Sequence, residues 1–262
     1  MPVTIPIWQV DAFCREVFSG NPAAVCVTSF PLPENVMQNI AMENNLSETA
    51  FVVEDKNSYS IRWFTPVCEV DLCGHATLAA GHVLFNEIRH VQSKITFNSK
   101  SGPLGVSYSG GLLVLDFPSD PVKECTPPQA LQDGLNIKPA KCYKGRSDYM
   151  LVYEKEEDIL NLKPDFAKLK EAECRGLIVT ALSKECDFVS RFFAPQAGID
   201  EDPVTGSAHT TLTPYWSKAL NKNKLEAIQL SARRGYLSCL NKGERIEISG
   251  KAVTYLRGKI EV

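Results

Sequence analysis

A short aromatic motif occurs twice in this chain, at two places separated by about half of its length. It reads RWFTP at residues 62–66 and RFFAP at residues 191–195 of a 262-residue sequence. Weaker matches on both sides of the motif follow in the same order and at nearly constant separation. A repeat with this period predicts two lobes that contain the same elements in the same order.

The hydrophobic pattern of the first half predicts the order strand, helix, strand, strand, helix and hairpin. The second predicted helix is rich in alanine and leucine and carries little charge on any side, so it should be buried all round. The predicted strands span 23–27, 50–53 and 59–64, and the predicted helices span 31–44 and 75–85. The expected fold class is therefore α+β, with two pseudo-symmetric lobes that each wrap a mostly antiparallel sheet around one central helix.

The boundary between the lobes is expected close to a proline-rich stretch. Four prolines interrupt the pattern within residues 118–128, which indicates a link and not a core element. The expected lobes are residues 1–118 and 119–262, and a last strand at 252–256 is expected to return to the first lobe.

Composition narrows the range of partners. The formal net charge is −3, and no run of lysine or arginine is long enough to follow a phosphate backbone, so nucleic acid is not expected as a partner. No apolar segment approaches the roughly 20 residues that a membrane helix needs. With no secretory pattern at its start, the chain is expected to be cytoplasmic.

Cysteine usage indicates reduced thiols. The nine cysteines are an odd number without CxxC spacing, which does not suit a disulfide framework. A metal site could be sought among Cys68, Cys73, His75 and His82, but their spacing matches no zinc pattern. We expect no metal.

Polar turns follow each copy of the motif and lead into the predicted central helices. They contain Cys73-Gly74-His75 in the first half and the segment 202–207, which ends in Gly206-Ser207, in the second. Exposed backbone N–H groups at such a helix start bind anions, so we expect a small carboxylated substrate. The alternative is structural: the glycines allow close packing and the hydroxyl residues cap the helices.

Three side chains near these turns are candidates for proton transfer. Asp202 lies in an acidic cluster near His209, and His75 lies in the other turn. Glu48 is either a capping residue or a base at a strand edge, and its position in the sequence does not decide between the two.

The sequence resembles the PhzF-like family, which is named for phenazine biosynthesis. The resemblance rests on FSGNPAAVC (18–26), NLSETAFV (45–52), EVDLCGHATLA (69–79) and GIDEDPVTGSAH (198–209), together with the two aromatic motifs. It implies a fold similar to diaminopimelate epimerase and proline racemase, with two lobes that each form a β-barrel around a central helix. It also implies an active site in the cleft and a homodimer.

The resemblance further implies an isomerase that needs no cofactor and acts on a dihydro-hydroxyanthranilate-like acid. Glu48 would be the general acid/base, His75 would orient the substrate, and Asp202 would hold an amine. The substrate carboxylate would meet the start of the second helix. The remaining expected substrate contacts are Gly74, Gly206, Ser207 and Cys73.

Cys73 stands where the epimerase and racemase relatives carry a catalytic thiol. The matching turn in the second half has Asp202-Pro203 and no cysteine, which disfavours a racemase with two thiols. A mixed pair of Cys73 with Asp202 and a buried inert thiol both stay open. A binding protein that kept the fold without catalysis is the competing function.

Overall fold

The computed structural model describes residues 2–55 and 58–262. The chain divides into two compact units, Met1–Asp116 with Ser249–Val262, and Phe117–Ile248. The division near residue 116 lies close to the expected boundary at residue 118. Residues 249–262 belong to the first unit, so the second unit ends earlier than the expected range of 119–262.

Both units combine strands with helices, and strands predominate, so the fold class is α+β. The strands are β1 (Thr4–Ala12), β2 (Asn21–Thr28), β3 (Glu48–Asp55), β4 (Ser58–Phe64), β5 (Glu69–Val70), β6 (Lys94–Ser99), β7 (Gly102–Ser109), β8 (Leu112–Pro118), β9 (Lys123–Glu124), β10 (Lys141–Lys144), β11 (Asp148–Val152), β12 (Gly176–Leu182), β13 (Phe188–Phe193), β14 (Lys224–Gln229), β15 (Gly235–Asn241), β16 (Arg245–Gly250) and β17 (Ala252–Glu261). The helices are α1 (Glu34–Asn44), α2 (Gly74–His82), α3 (Gln129–Asp133), α4 (Glu156–Asn161), α5 (Phe166–Leu169) and α6 (Gly206–Leu220).

The first unit has a sheet of mostly antiparallel strands. β1 pairs antiparallel with both β2 and β17, so the last strand of the chain is held by the first. β2 then pairs parallel with β3, β3 antiparallel with β4, β4 parallel with β6, and β6 antiparallel with β7.

The second unit repeats this order of pairings. β10 pairs antiparallel with β11, β11 parallel with β12, β12 antiparallel with β13, β13 parallel with β14, and β14 antiparallel with β15. The helices α2 and α6 follow equivalent strands, β4 and β13. The internal repeat of the sequence is therefore a repeat of topology, while closure of each sheet into a barrel stays a prediction.

The helix expected at residues 75–85 begins at Gly74 and changes its winding after His82. Residues Val83–Glu87 form a π-helical turn, in which the N–H of Ile88 donates to the carbonyl of Val83. His75 to Gly81 are all buried, as the alanine-rich sequence predicts for a central helix. α6 is likewise mostly buried.

The arginine of each aromatic motif has the same structural role in the two units. Arg62 forms a forked ion pair with Glu69 and lies over the ring of Phe64. Arg191 forms a forked pair with Glu201 and lies over Phe193. The motif therefore ties each strand to the acidic turn that follows it, through charge-assisted bonds and cation–π contact.

Across the described residues, we find no helix with the length and apolar character that crossing a membrane requires.

Candidate functional site

The first unit brings three predicted residues together at the start of α2. Glu48 is the first residue of β3, and His75 is the second residue of α2. Nε2 of His75 lies 3.1 Å from Oε2 of Glu48, and Nδ1 lies 3.5 Å from Sγ of Cys73. We name Glu48, Cys73 and His75 the acid/base cluster.

The cluster is almost closed to solvent. The side chains of His75 and Glu48 are 4% and 13% exposed, and Cys73 is 6% exposed. His75 and Glu48 are in ion-pair contact, but their facing atoms, Nε2 and Oε2, do not form an aligned hydrogen bond. Within residues 2–55 and 58–262, neither of these two atoms has another hydrogen-bond partner. Buried polar atoms of this kind normally find partners, so the pair can accept a further polar group.

Asn21 orients the imidazole from its other side. Nδ2 of Asn21 lies 3.1 Å from Nδ1 of His75, and an amide nitrogen only donates, so Nε2 of the neutral ring carries the hydrogen that faces Glu48. In the imidazolium both ring nitrogens carry hydrogen, and the turned amide then offers its oxygen to Nδ1. Asn21 is wholly buried, which holds it in this role.

The cluster shifts the proton affinities of two of its members. Burial lowers the pKa of His75, but the neighbouring Cys73 and Glu48 outweigh burial and raise it well above its ordinary value. Burial, with a smaller contribution from Glu48, raises the pKa of Cys73 to about 11. At neutral pH the cysteine is therefore a thiol and a poor base, and the Glu48 carboxylate is the charge that favours protonated His75.

Among the residues that the structure describes, the same three side chains form a group that could hold a metal ion. One ligand atom from each of Glu48, Cys73 and His75 lies within 4.8 Å of the other two. A metal would need Cys73 as a thiolate, and its raised pKa opposes that state. The expectation of no metal stays a prediction.

Gly74 opens α2 directly beside the cluster. Cys73 is the N-cap residue and has extended backbone, and its side chain makes no capping hydrogen bond. The hydroxyl of Thr77 donates to the Cys73 carbonyl at 2.5 Å. The helix start is therefore uncapped by its own N-cap side chain, which leaves backbone N–H groups for another partner.

In the second unit, a buried amide holds the turn that contains Asp202. Gln229 accepts the N–H of Thr205 at 2.9 Å and donates to the carbonyl of Asp202 at 2.8 Å. The Thr205 hydroxyl donates to the Asp202 carboxylate at 2.5 Å. Asp202 is thereby fixed at the start of α6.

Ser207 is the second residue of α6, as His75 is of α2, and Gly206 stands where Gly74 does. Its hydroxyl oxygen accepts an N–H from Nη1 of Arg175 at 3.1 Å. Thr205 is the N-cap residue of α6 and makes no side-chain capping bond. The start of α6 thus combines helix N–H groups that the Thr205 side chain does not cap with a hydroxyl and a nearby guanidinium, which suits an anion.

His209 does not share the chemistry of Asp202 that its position in the sequence suggested. It is wholly buried, and its Nδ1 donates to the Thr205 carbonyl at 2.9 Å. Burial lowers its pKa to about 4, so the ring is neutral at physiological pH. The hydrogen bond and the burial indicate a structural role.

Sequence reasoning missed three residues that support these positions. Asn21 lies inside the family motif FSGNPAAVC, so the sequence could have indicated it as a site residue. Arg175 and Gln229 lie in no such motif, and their spacing gives no indication of a role. The acidic cluster also resolves into separate roles, because Glu201 pairs with Arg191 while Asp202 binds within its own turn.

Comparison with known proteins identifies the family of this chain. A family model described as phenazine biosynthesis-like protein matches residues 10–258. An uncharacterized isomerase of Pseudomonas aeruginosa is 49% identical over 258 residues, which cover 98% of this chain and 99% of that protein. A PhzF-family protein of Enterococcus faecalis, solved as a crystal structure, gives a TM-score of 0.96 at 47% identity and covers 99% of this chain and 100% of its own.

A more distant structure shares the fold alone. The crystal structure of a hydroxyproline epimerase from Agrobacterium vitis, with bound trans-4-hydroxy-L-proline, gives a TM-score of 0.60 at 8% identity. The match covers 99% of this chain and 93% of the epimerase. The chain is therefore similar in fold to epimerases.

Proposed function

Because the chain belongs to the phenazine biosynthesis-like (PhzF-like) family, whose closely similar members are named isomerases, we propose that it is an isomerase or epimerase of a small carboxylated substrate. The substrate class is an amino or hydroxy acid, with dihydro-hydroxyanthranilate-like acids as its cyclic examples. The reaction moves one proton by general acid/base catalysis and needs no cofactor.

One observation carries this proposal: the buried contact of 3.1 Å between the Glu48 carboxylate and Nε2 of His75. In a structural salt bridge at such a position, the facing atoms would normally form aligned hydrogen bonds. Here the facing atoms have no hydrogen-bond partner within the described part of the chain. A carboxylate held in this way is available to a reacting carbon.

The proposed reaction has two proton steps. The Glu48 carboxylate removes a proton from a carbon that the substrate acid group acidifies: the C–H bond breaks, an O–H bond forms, and the electron pair passes into the conjugated substrate. The O–H bond then breaks as Glu48, whose carboxyl proton has exchanged with solvent, gives a proton to another carbon of the substrate, where the electron pair of the conjugated system forms the new C–H bond and gives an isomer. His75, fixed by Asn21, orients the carboxylate and the substrate.

A binding role is also proposed for residues of the second unit. The start of α6 at Gly206 and Ser207 is suited to a carboxylate, and Asp202 is suited to an amine. Asp202 is held there by Thr205 and Gln229, so its position is fixed before binding. Gly74 is proposed as a further backbone contact at the start of α2. A cytoplasmic homodimer is proposed on the family resemblance.

The test follows proton exchange. The protein is incubated in heavy water with 3-hydroxyanthranilate, trans-4-hydroxy-L-proline and a set of small amino acids, and deuterium incorporation is measured by mass spectrometry and NMR. We expect exchange at a carbon of at least one acid, and a Glu48→Gln variant should lower its rate by about 10² to 10⁴.

The matched control is Glu54→Gln, on the same strand but at an exposed position, which should exchange at the wild-type rate. Binding of an acid without exchange at any carbon, and without any effect of Glu48→Gln, would establish the competing function of a binding protein. Loss of exchange in both variants would contradict a specific role for Glu48.

A further inference from the structure

The two units place a charged residue in the same relation to the central helix. In the first unit, Glu48 opens β3 and contacts His75, the second residue of α2. In the second unit, Arg175 directly precedes β12, the equivalent strand, and contacts Ser207, the second residue of α6. The repeat has therefore kept the contact between strand start and helix start and has changed its charge.

The residue that holds each of these side chains also has a counterpart. Asn21 opens β2 and bonds to His75, while Asp148 opens β11 and forms a forked pair with Arg175, with 2.9 Å between Nε and Oδ1. Asp148 is 3% exposed in its side chain, whereas Arg175 is 46% exposed. The carboxylate thus anchors the inner side of a guanidinium whose outer side reaches solvent.

The bond to Ser207 has a definite direction. A guanidinium only donates, so the Arg175 N–H occupies a lone pair of the Ser207 oxygen and leaves the serine hydrogen free to be donated elsewhere. A donor that is itself held by a charged group is oriented and strengthened. We infer that Arg175 is a positioning residue that acts through Ser207 and makes the start of α6 select a carboxylate over a neutral group.

The charge of Arg175 also matters because its surroundings are acidic. Burial lowers its pKa, but Asp148, Asp202 and Asp120 together raise it above the ordinary value. Three carboxylates close to a proposed anion site would repel a substrate carboxylate if no cation stood among them. Arg175 offsets that repulsion while its geometry directs the Ser207 hydroxyl.

This inference rests on the proposed function, and its test separates the two. Arg175→Gln alone would leave the buried Asp148 carboxylate unpaired and endanger folding. The informative variant is therefore Arg175→Gln combined with Asp148→Asn, which keeps the formal net charge and replaces the ion pair by amides of similar shape. Its fold is checked by the urea midpoint of unfolding.

The matched control is Arg257→Gln combined with Glu87→Gln, which also keeps the formal net charge. Arg257 forms the same kind of fork with the Glu87 carboxylate. Both residues belong to the first unit, so the variant reports what loss of an arginine fork does by itself.

Binding of 3-hydroxyanthranilate and of its carboxamide is measured by calorimetry. We expect the Arg175/Asp148 variant to bind the acid about tenfold more weakly and the carboxamide with nearly unchanged affinity. Adding Ser207→Ala to this variant should lower its affinity for the acid only slightly further. The control should bind both probes as the wild type does. Equal weakening for the two probes, or full additivity with Ser207→Ala, would overturn the inference while the proposed isomerase stands.

A wild-type protein that binds neither probe nor any acid of the exchange panel counts against the proposed function itself. A crystal structure of the Arg175/Asp148 variant then decides the positioning role without any ligand. Ser207 should occupy a new rotamer or several, and a single unchanged rotamer contradicts the role of Arg175.

Discussion

Glu48 and His75 meet at 3.1 Å although they lie on different elements, one at the first residue of a strand and the other in the first turn of a helix. Parallel pairing of β2 with β3 places Glu48 beside Ala23. Ala23 is close in sequence to Asn21, which contacts the other ring nitrogen of His75, Nδ1. Three sequence-distant residues thereby form one chain of contacts, from Asn21 through His75 to Glu48.

Removal of the Asn21 side chain should impair the proposed reaction without removing its base. In an Asn21→Ala variant, Nδ1 of His75 loses the Asn21 amide at 3.1 Å and keeps the weaker contact with the Cys73 sulfur at 3.5 Å, so the ring is held less firmly against Glu48. We expect the rate of deuterium exchange to fall about tenfold, with a larger change in kcat than in KM. Asn98→Ala, at an exposed site, is the control; an unchanged rate in Asn21→Ala would show that the contact does not orient His75.

Cys73 should resist alkylation in the folded protein. Burial raises the pKa of its thiol to about 11, so at pH 8 only about one molecule in 1,000 carries the reactive thiolate. Brief treatment with iodoacetamide and peptide mass spectrometry should show modification of the exposed Cys68 and not of Cys73. Modification of both at similar rates would favour Cys73 as a second base.

Metal removal should leave the proposed activity unchanged. The ligand atoms of Glu48, Cys73 and His75 are close enough to hold an ion, but the thiol would first have to lose its proton. Deuterium exchange measured after dialysis against EDTA should equal the untreated rate. Loss of exchange that added Zn²⁺ restores would make the acid/base cluster a metal site.

Acidification should destabilise the protein through His209. Its pKa is lowered to about 4 from an ordinary value of 6.5, so the unfolded chain binds a proton between these values that the folded chain refuses. Stability therefore falls as the pH drops from about 6.5 to 4, by up to about 3 kcal/mol. Urea unfolding across this range should show a flatter profile in His209→Asn, whose amide keeps a donor for the Thr205 carbonyl; parallel profiles would contradict a buried neutral His209.

Much of the architecture was predictable because it depends on local and periodic signals. The repeated aromatic motif predicted two equivalent sets of elements, and the pairings from β2 to β7 and from β11 to β15 follow one order. The alanine-rich segment predicted the buried helix α2. The π-helical turn after His82 was not predicted from the sequence. It ends at Glu87, whose carboxylate binds Thr254 and Arg257 of β17, which are far away in the sequence.

The family motifs led to Glu48, His75 and Asp202 as candidate residues, but the partners of these residues came from the structure. Arg175 has no motif of its own, and its role is visible only because β12 begins beside the first turn of α6. The same holds for Gln229, whose amide reaches back to the turn at Asp202.

The sequence by itself determined the duplicated order of elements, the family and the types of side chain that stand at the two helix starts. These depend on spacing along the chain, which a reader of the sequence can measure. Only the tertiary structure decided which charges face each other, because pairing of strands brings Glu48 to His75 and Arg175 to Ser207 across gaps that no periodicity spans. Burial then set the protonation of Cys73 and His209, since the loss of water, and not the residue type, shifts their pKa values.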